Sequence, residues 1–295
     1  MIKEYLNLIR IRQWYKNLVI FLPLFFVGEV FAHGYLEATL VGFIALCFVS
    51  SANYVLNDII DRKSDREHPE KKMRPLASGK INIASAYIVF LIMLIAGLYI
   101  AYTLDLPFLI CAIFLFVFTI IYSLFLKKEP VADVLSIAIN FVVRAVSGTF
   151  IIHTFISPWL IFCPFFLALF LGFGKRNADL RFMKTKAHAH KEVLKYYTLE
   201  NTNALMTIST TCLIIAYALY SFSRTTWLLL TLPFAIYAIF HYYALVQNGS
   251  EIARHPEKIY RDWRLMLSIA LIMIILFIIF YVLIPNVEPG ALKLW

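Results

Sequence analysis

Apolar windows of the length that crosses a hydrocarbon layer, roughly 17–25 residues, recur along the whole chain. They lie near 17–32, 36–57, 83–104, 107–126, 131–153, 157–174, 203–222, 226–246 and 265–284. The pattern predicts an all-α integral membrane protein with nine transmembrane helices, built as a single polytopic domain over 1–295. With 61% hydrophobic and only 15% charged residues, the chain falls outside the range of soluble globular proteins. The first window is interrupted by Pro23 and Glu29, so a shallow or re-entrant first helix is the competing count.

Short loops rich in Lys and Arg stay on the cytoplasmic side of a membrane. Under the nine-span reading, all of the 27 basic residues except Arg144, Arg224 and Lys293 fall in the terminus or loops of one side. This places the N-terminus in the cytoplasm and the chain in the cell (inner) membrane as a multi-pass protein. The net charge of +9 then reflects topology, with anionic membrane lipid as a partner and no nucleic acid. "MIKEYLNLIRIRQWYKN" has no uninterrupted apolar stretch of the signal-peptide kind, so the chain is expected to be retained whole. Cys47, Cys111, Cys163 and Cys212 fall inside spans without pairing or metal spacing and read as small packing residues. Cytoplasmic loops are expected at about 58–82, 175–202 and 247–264. The first two follow spans four helices apart, a hint of internal duplication such as transporters also show. The sequence leaves the oligomeric state open, and a homo-oligomer is compatible with it.

"YVLNDIIDRKSDREHPEKKMRPLASGK", Tyr54 to Lys80, packs charge of both signs behind an apolar run. If the second helix continues past the membrane edge, Asn57, Asp61 and Asp65 share one face at i, i+4 and i+8, with Asp58 beside them. Like carboxylates at that spacing repel unless a cation sits among them. Hard oxygen donors of this kind suit Mg2+, which bridges one or two carboxylates to substrate phosphates. Asn57, Asp61 and Asp65 are therefore the expected metal ligands. The alternative is a solvated helix end whose carboxylates pair with Arg62, Lys63 and Arg66. His68-Pro69 is expected to end the helix, Lys71, Lys72 and Arg74 to present cations to a phosphorylated substrate, and Ser78-Gly79 to turn the chain.

Arg144 stands deep in a predicted span, at a cost of about 2.5–3.5 kcal/mol on insertion scales. One turn from Asn140, it is positioned to meet a phosphate; the alternative is structural pairing or snorkelling to a wet crevice.

"NDIIDRKSDREHP" fits the NDxxDxxxD signature, and on it the chain resembles the UbiA-type intramembrane prenyltransferase superfamily. With "HPEKKMRPLASG", "RIRQWYKN", "YSLFLKKEPVADV", "GKRNADL" and "PEKIYRDWRL" it is similar to the decaprenyl-phosphate phosphoribosyltransferase branch, over nearly the whole length. The resemblance implies a UbiA-like helical bundle with a Mg2+-dependent active site facing the cytoplasm. It also implies transfer of 5-phosphoribose from phosphoribosyl diphosphate (PRPP) to a decaprenyl-type polyprenyl phosphate, with release of diphosphate, for cell-wall biosynthesis. Catalysis would rest on Asn57, Asp58, Asp61 and Asp65, and substrate binding on Lys16, Lys71, Lys72, Arg74, Lys127, Arg144, Lys175, Arg176 and Asp179. Many prenyltransferases carry a second acidic motif, DxxxD, after the sixth helix; here Lys175, Arg176 and a single Asp179 take its place. Lys175 and Asp179 alternatively form an i,i+4 ion pair on a helix surface. Two rival functions stay open: prenyl transfer from a prenyl diphosphate to an aromatic or lipid acceptor, and transport of a phosphorylated solute.

Overall fold

The computed structural model describes residues 2–32, 34–67, 71–185 and 192–283. The expected helix stop at His68-Pro69 and the basic residues Lys186, Lys191 and Lys293 lie outside them. All the regular secondary structure among the described residues is helical, without strands. In chain order the helices are α1 (Ile2–Leu8), a 3-10 segment (Ile11–Phe21), α2 (Leu22–Val27), α3 (Tyr35–Ile60) and α4 (Arg62–Glu67). Next come α5 (Ile83–Leu104), α6 (Leu106–Leu124), α7 (Ala132–Ile151) and α8 (Pro158–Thr185). The last described helices are α9 (Leu199–Arg224), α10 (Leu232–Gln247), α11 (Glu251–Arg254) and α12 (Trp263–Ile278), which runs on into a π segment (Ile279–Leu283).

Eight segments among the described residues are helical, long and apolar enough to cross a membrane, the first beginning at Tyr35. Nine uniform helices are therefore not confirmed, because the first predicted span, 17–32, is a composite of the 3-10 segment and α2. Arg10 enters it in the left-handed conformation. At about 2.0 Å per 3-10 residue and 1.5 Å per α residue, Ile11–Val27 extends roughly 31 Å. That is about the thickness of a hydrocarbon core. Its contacts run antiparallel along α3: Trp14 Nε1 donates to Ser51 Oγ (3.0 Å), Asn17 Nδ2 to Cys47 Sγ (3.3 Å), and Phe21 packs on Phe43.

Contacts divide the chain into two bodies, the first made of residues 1–25, 29–126 and 140–156 and the second of 26–28, 127–139 and 157–295. In the first body α3 is the central helix: 56% of its apolar window is buried, against 11% for α5. Apolar residues on α5 such as Ile88, Leu91, Ile92 and Ile95 are exposed, as a lipid-facing surface requires. One close approach sets the register between the 3-10 segment and α7. A Cβ on Gly148 would stand 2.1 Å from the Ile20 carbonyl oxygen, so only glycine lets the two backbones meet there.

In the second body, α8 packs on α9, α10 and α11. Local signals set the helix boundaries as sequence chemistry requires. Asn82 caps α5 through Ser85 N (2.6 Å), Thr198 and Asn201 form a reciprocal capping box on α9, and Asp262 accepts from Arg264 N and Leu265 N at the start of α12. All four cysteines are free.

Two of the expected loops carry helical structure. The stretch 58–82 is largely structured, with Asp58 still inside α3 and Asp65 inside α4. Residues 175–185 continue α8 rather than opening a loop, so Lys175, Arg176 and Asp179 stand on a helix.

Candidate active site

The acidic stretch keeps the helical register that its spacing predicts. Asp61 closes α3 at φ −82°, ψ 0°, yet its N–H bonds Asn57 O and the N–H of Asp65 bonds Asp61 O, both at 2.8 Å. The chain thus continues into α4 with little break. Asp58 and Asp65, each 2% exposed, are drawn together by one side chain. Arg74 Nη1 donates to Asp65 Oδ2 at 2.7 Å and to Asp58 Oδ1 at 3.1 Å. Arg10 Nη2 also binds Asp58 Oδ1, and Lys71 Nζ lies 3.7 Å from Asp65 Oδ1. Arg10 itself stacks 4.8 Å from the centre of the Tyr54 ring. Two buried like charges would repel strongly; three cations offset them.

Neutralisation therefore comes from Arg10, Lys71 and Arg74. Arg62 Nε and Arg66 Nε instead donate to the carbonyls of Leu76 and Ala77 (3.4 and 3.2 Å), while Lys63 is exposed. Those two bonds pin the turn that delivers Arg74, and Gly79 completes it at φ +77°. Asn57, Asp61 and Lys16 are half-buried, and Lys72 is exposed.

Among the described residues no group of three Asp, Glu, His or Cys side chains stands at metal-binding distances. The donor chemistry of Asn57, Asp61 and Asp65 nevertheless fits a hard divalent cation. In this arrangement Asp65 is shared by Arg74 and Lys71.

Deeper in the first body, Arg144 Nε donates to Asn17 Oδ1 at 2.8 Å and Nη1 to the Asn140 carbonyl at 3.1 Å. Asn17 is 1% exposed, and its Oδ1 also receives Ser50 Oγ at 3.4 Å. Asn140 Oδ1 receives Thr119 Oγ1 at 3.3 Å.

In the second body, α8 carries a separate polar cluster. Arg176, 8% exposed, is held by Asp133: its Nε donates to Asp133 Oδ2 at 2.7 Å and its Nη2 lies 2.6 Å from the same oxygen. Tyr197 Oη donates to Asp133 Oδ1 at 2.7 Å and accepts from Val131 N at 2.6 Å. Burial pushes the Tyr197 phenol well above its ordinary range, and the Asp133 carboxylate beside it adds to the rise. Asp179 lies 3.6 Å from Arg254 Nε, whose guanidinium covers the Phe182 ring. Lys127 stands in a 3-10 turn, Leu126–Lys128, ahead of α7.

Asp133, Tyr197, Arg254, Arg10 and Asn17 were not singled out as site residues by sequence reasoning. A lone carboxylate at the head of an apolar span, as in "ADVL", is the signal that would have flagged Asp133. Arg10 and Asn17 sit in the "RIRQWYKN" motif, but nothing local pairs them with α3 or α7.

Comparison with known proteins places the chain in a family. The model of the UbiA prenyltransferase family matches residues 21–255. The chain is 30% identical over 269 residues to the decaprenyl-phosphate phosphoribosyltransferase of Mycolicibacterium smegmatis, covering 85% of this chain and 84% of that one. It is 30% identical over 254 residues to the protein of that name from Corynebacterium glutamicum, covering 82% and 76%. In fold it is similar to a UbiA homologue from Archaeoglobus fulgidus solved with DMAPP and Mg2+ bound. The TM-score is 0.69 at 21% identity, over 95% of this chain and 99% of that one.

Proposed function

The chain belongs to the UbiA prenyltransferase family, a multi-pass membrane transferase, and on that premise we propose that it moves 5-phosphoribose from PRPP to a polyprenyl phosphate. The observation that carries the reading is the convergence of Arg74, Lys71 and Arg10 on the buried Asp58 and Asp65. Carboxylates and cations at one helix end are the equipment for a substrate with several phosphate groups. The donor assignment is supported by the similarity to phosphoribosyltransferases over most of both chains.

In the proposed reaction the bond from ribose C1 to the diphosphate oxygen breaks and a bond from the lipid phosphate oxygen to C1 forms. The electron pair of the broken bond leaves with diphosphate. The lipid phosphate is already ionised at neutral pH, so the step needs no strong base. Lys71 and Arg74 bind phosphate oxygens and stabilise the charge that collects on the leaving group; Lys72, exposed beside them, reaches the 5-phosphate. Arg10 and the fixed turn at 75–78 orient this set. Asn57, Asp61 and Asp65 would hold Mg2+, which when bound neutralises diphosphate charge. The site and N-terminus are assigned to the cytoplasmic side of the cell membrane.

Prenyl transfer from a prenyl diphosphate, the activity in the family's name, is the second reading. Against it, Lys175 and Arg176 stand where a second acidic motif would be, and Arg176 is taken up by Asp133.

Purified protein with Mg2+, PRPP and polyprenyl phosphate is expected to yield lipid-linked phosphoribose and diphosphate, read by mass spectrometry. Asp61→Asn and Asp65→Asn should abolish turnover without loss of expression. Full turnover by those variants in EDTA, or product only from a prenyl diphosphate, would overturn the reading.

A further inference from the structure

A guanidinium inside an apolar span needs a compensating charge. Arg10 and Arg74 have Asp58, Arg176 has Asp133, and Arg254 has Asp179. Among the described residues Arg144 has no carboxylate within ion-pair distance; its two bonds go to amide oxygens, Asn17 Oδ1 and Asn140 O. Of its five N–H donors these use Nε and one of Nη1. Arg181 is also held by amides, Asn177 and Gln247, but it stands at the last turn of its span, where an arginine reaches the interface. Arg144 is twelve residues into α7, about 18 Å from Ala132 and about 10 Å from Ile151. The residue as a whole is partly exposed.

The surroundings hold this charge in place. Gly148, one turn beyond Arg144, meets the Ile20 carbonyl; one turn back on the partner segment stands Asn17, whose oxygen is fixed by Ser50 and whose amide nitrogen is spent on Cys47. A polar seam on the 3-10 segment and α3 then leads from Asn17 past Ser50, Ser51 and Tyr54 to Asp58. Ser50 and Asp58 are eight residues apart, about 12 Å along the helix.

We propose that Arg144, oriented by Asn17 and Asn140, is the seat of the acceptor lipid's phosphate and the residue that selects a polyprenyl phosphate over a neutral polyprenol. The missing charge at this depth is an anion, and it must travel with apolar material. A phosphate monoester on an isoprenoid chain meets both conditions, whereas free inorganic phosphate has no apolar part to carry it there. The assignment rests on the acceptor being the polyprenyl phosphate proposed above.

The test is equilibrium binding of a polyprenyl monophosphate, the matching polyprenol, PRPP and inorganic phosphate to the full chain in detergent. Wild type is expected to prefer the lipid phosphate to the polyprenol. Arg144→Gln should cut that preference about tenfold, the worth of a hydrogen-bonded charge contact, with PRPP affinity unchanged; Arg144→Lys should keep part of it. Asn17→Asp separates recognition from folding, because it gives Arg144 an internal counter-ion: thermal stability should hold or rise while the preference is lost. An undiminished preference in Arg144→Gln or Asn17→Asp overturns the proposal, as does a loss of PRPP or inorganic phosphate binding in place of lipid phosphate. A wild type that binds polyprenyl phosphate through Arg144 but makes no product from PRPP supports this assignment and overturns the donor reading alone.

Discussion

Asp58 and Asp65 share the Arg74 guanidinium while both are 2% exposed, and this sharing offsets their mutual repulsion. Removing Arg74 takes away the one cation that both desolvated carboxylates share and leaves Arg10 on Asp58 and the more distant Lys71 on Asp65. Arg74→Met is expected to lower stability by about 2–3 kcal/mol, the cost of stripping a buried charge of its partner, measured by thermal unfolding in detergent. Mg2+ should restore more stability to Arg74→Met than to wild type, since a divalent ion replaces the lost positive charge. An equal response in both proteins would count against metal binding at these carboxylates. That carboxylates crowd this helix end was legible in the sequence, because helical spacing is local, but the pair that one cation draws together is Asp58 and Asp65 rather than the i, i+4, i+8 set. Which cations answer them was not: Arg10 is 48 residues from Asp58, and the nearer Arg62 and Arg66 turn to backbone carbonyls instead.

Between elements, the contact of the 3-10 segment with α7 depends on the absence of one side chain. Gly148→Ala would drive a methyl group to 2.1 Å from the Ile20 carbonyl, and separating the backbones should destabilise the protein by about 1–3 kcal/mol. The same shift should weaken the Arg144–Asn17 bond, so lipid-phosphate preference should fall together with melting temperature. The start of α12 offers a pH-dependent case. Burial tends to raise the Asp262 carboxyl, but bonds from Leu265 N, His241 and Arg264 N overcome it and hold the group below its ordinary range. A depressed carboxylate stabilises the fold above its unfolded pKa of about 3.9, and the contribution is lost as pH falls through the lower folded value. Asp262→Asn should therefore melt below wild type at neutral pH, with the gap closing below about pH 4; a gap independent of pH would point to side-chain shape instead. The caps of α5, α9 and α12 use residue types that announce helix starts. The composite first segment was harder to foresee: hydropathy records how apolar a stretch is and not whether its backbone winds with three or with 3.6 residues per turn.

For the whole molecule, the concentration of cations in one set of connections predicts its orientation. In a background with the four native cysteines replaced, Lys80→Cys should react with a membrane-impermeant thiol reagent only after permeabilisation, and Arg224→Cys in intact cells. The opposite labelling would invert the assigned topology and with it the side from which a soluble donor arrives. The sequence alone determined that the chain crosses a membrane many times and where its acidic ladder lies, since apolar length and helical spacing are properties of neighbouring residues. Tertiary structure decided which charges are quenched and which stay open. Asp133 reaches Arg176 across 43 positions and Asn17 reaches Arg144 across 127. Such pairings arise only when packed helices bring distant side chains into a low-dielectric interior, where each buried charge must find a partner or keep a place for one.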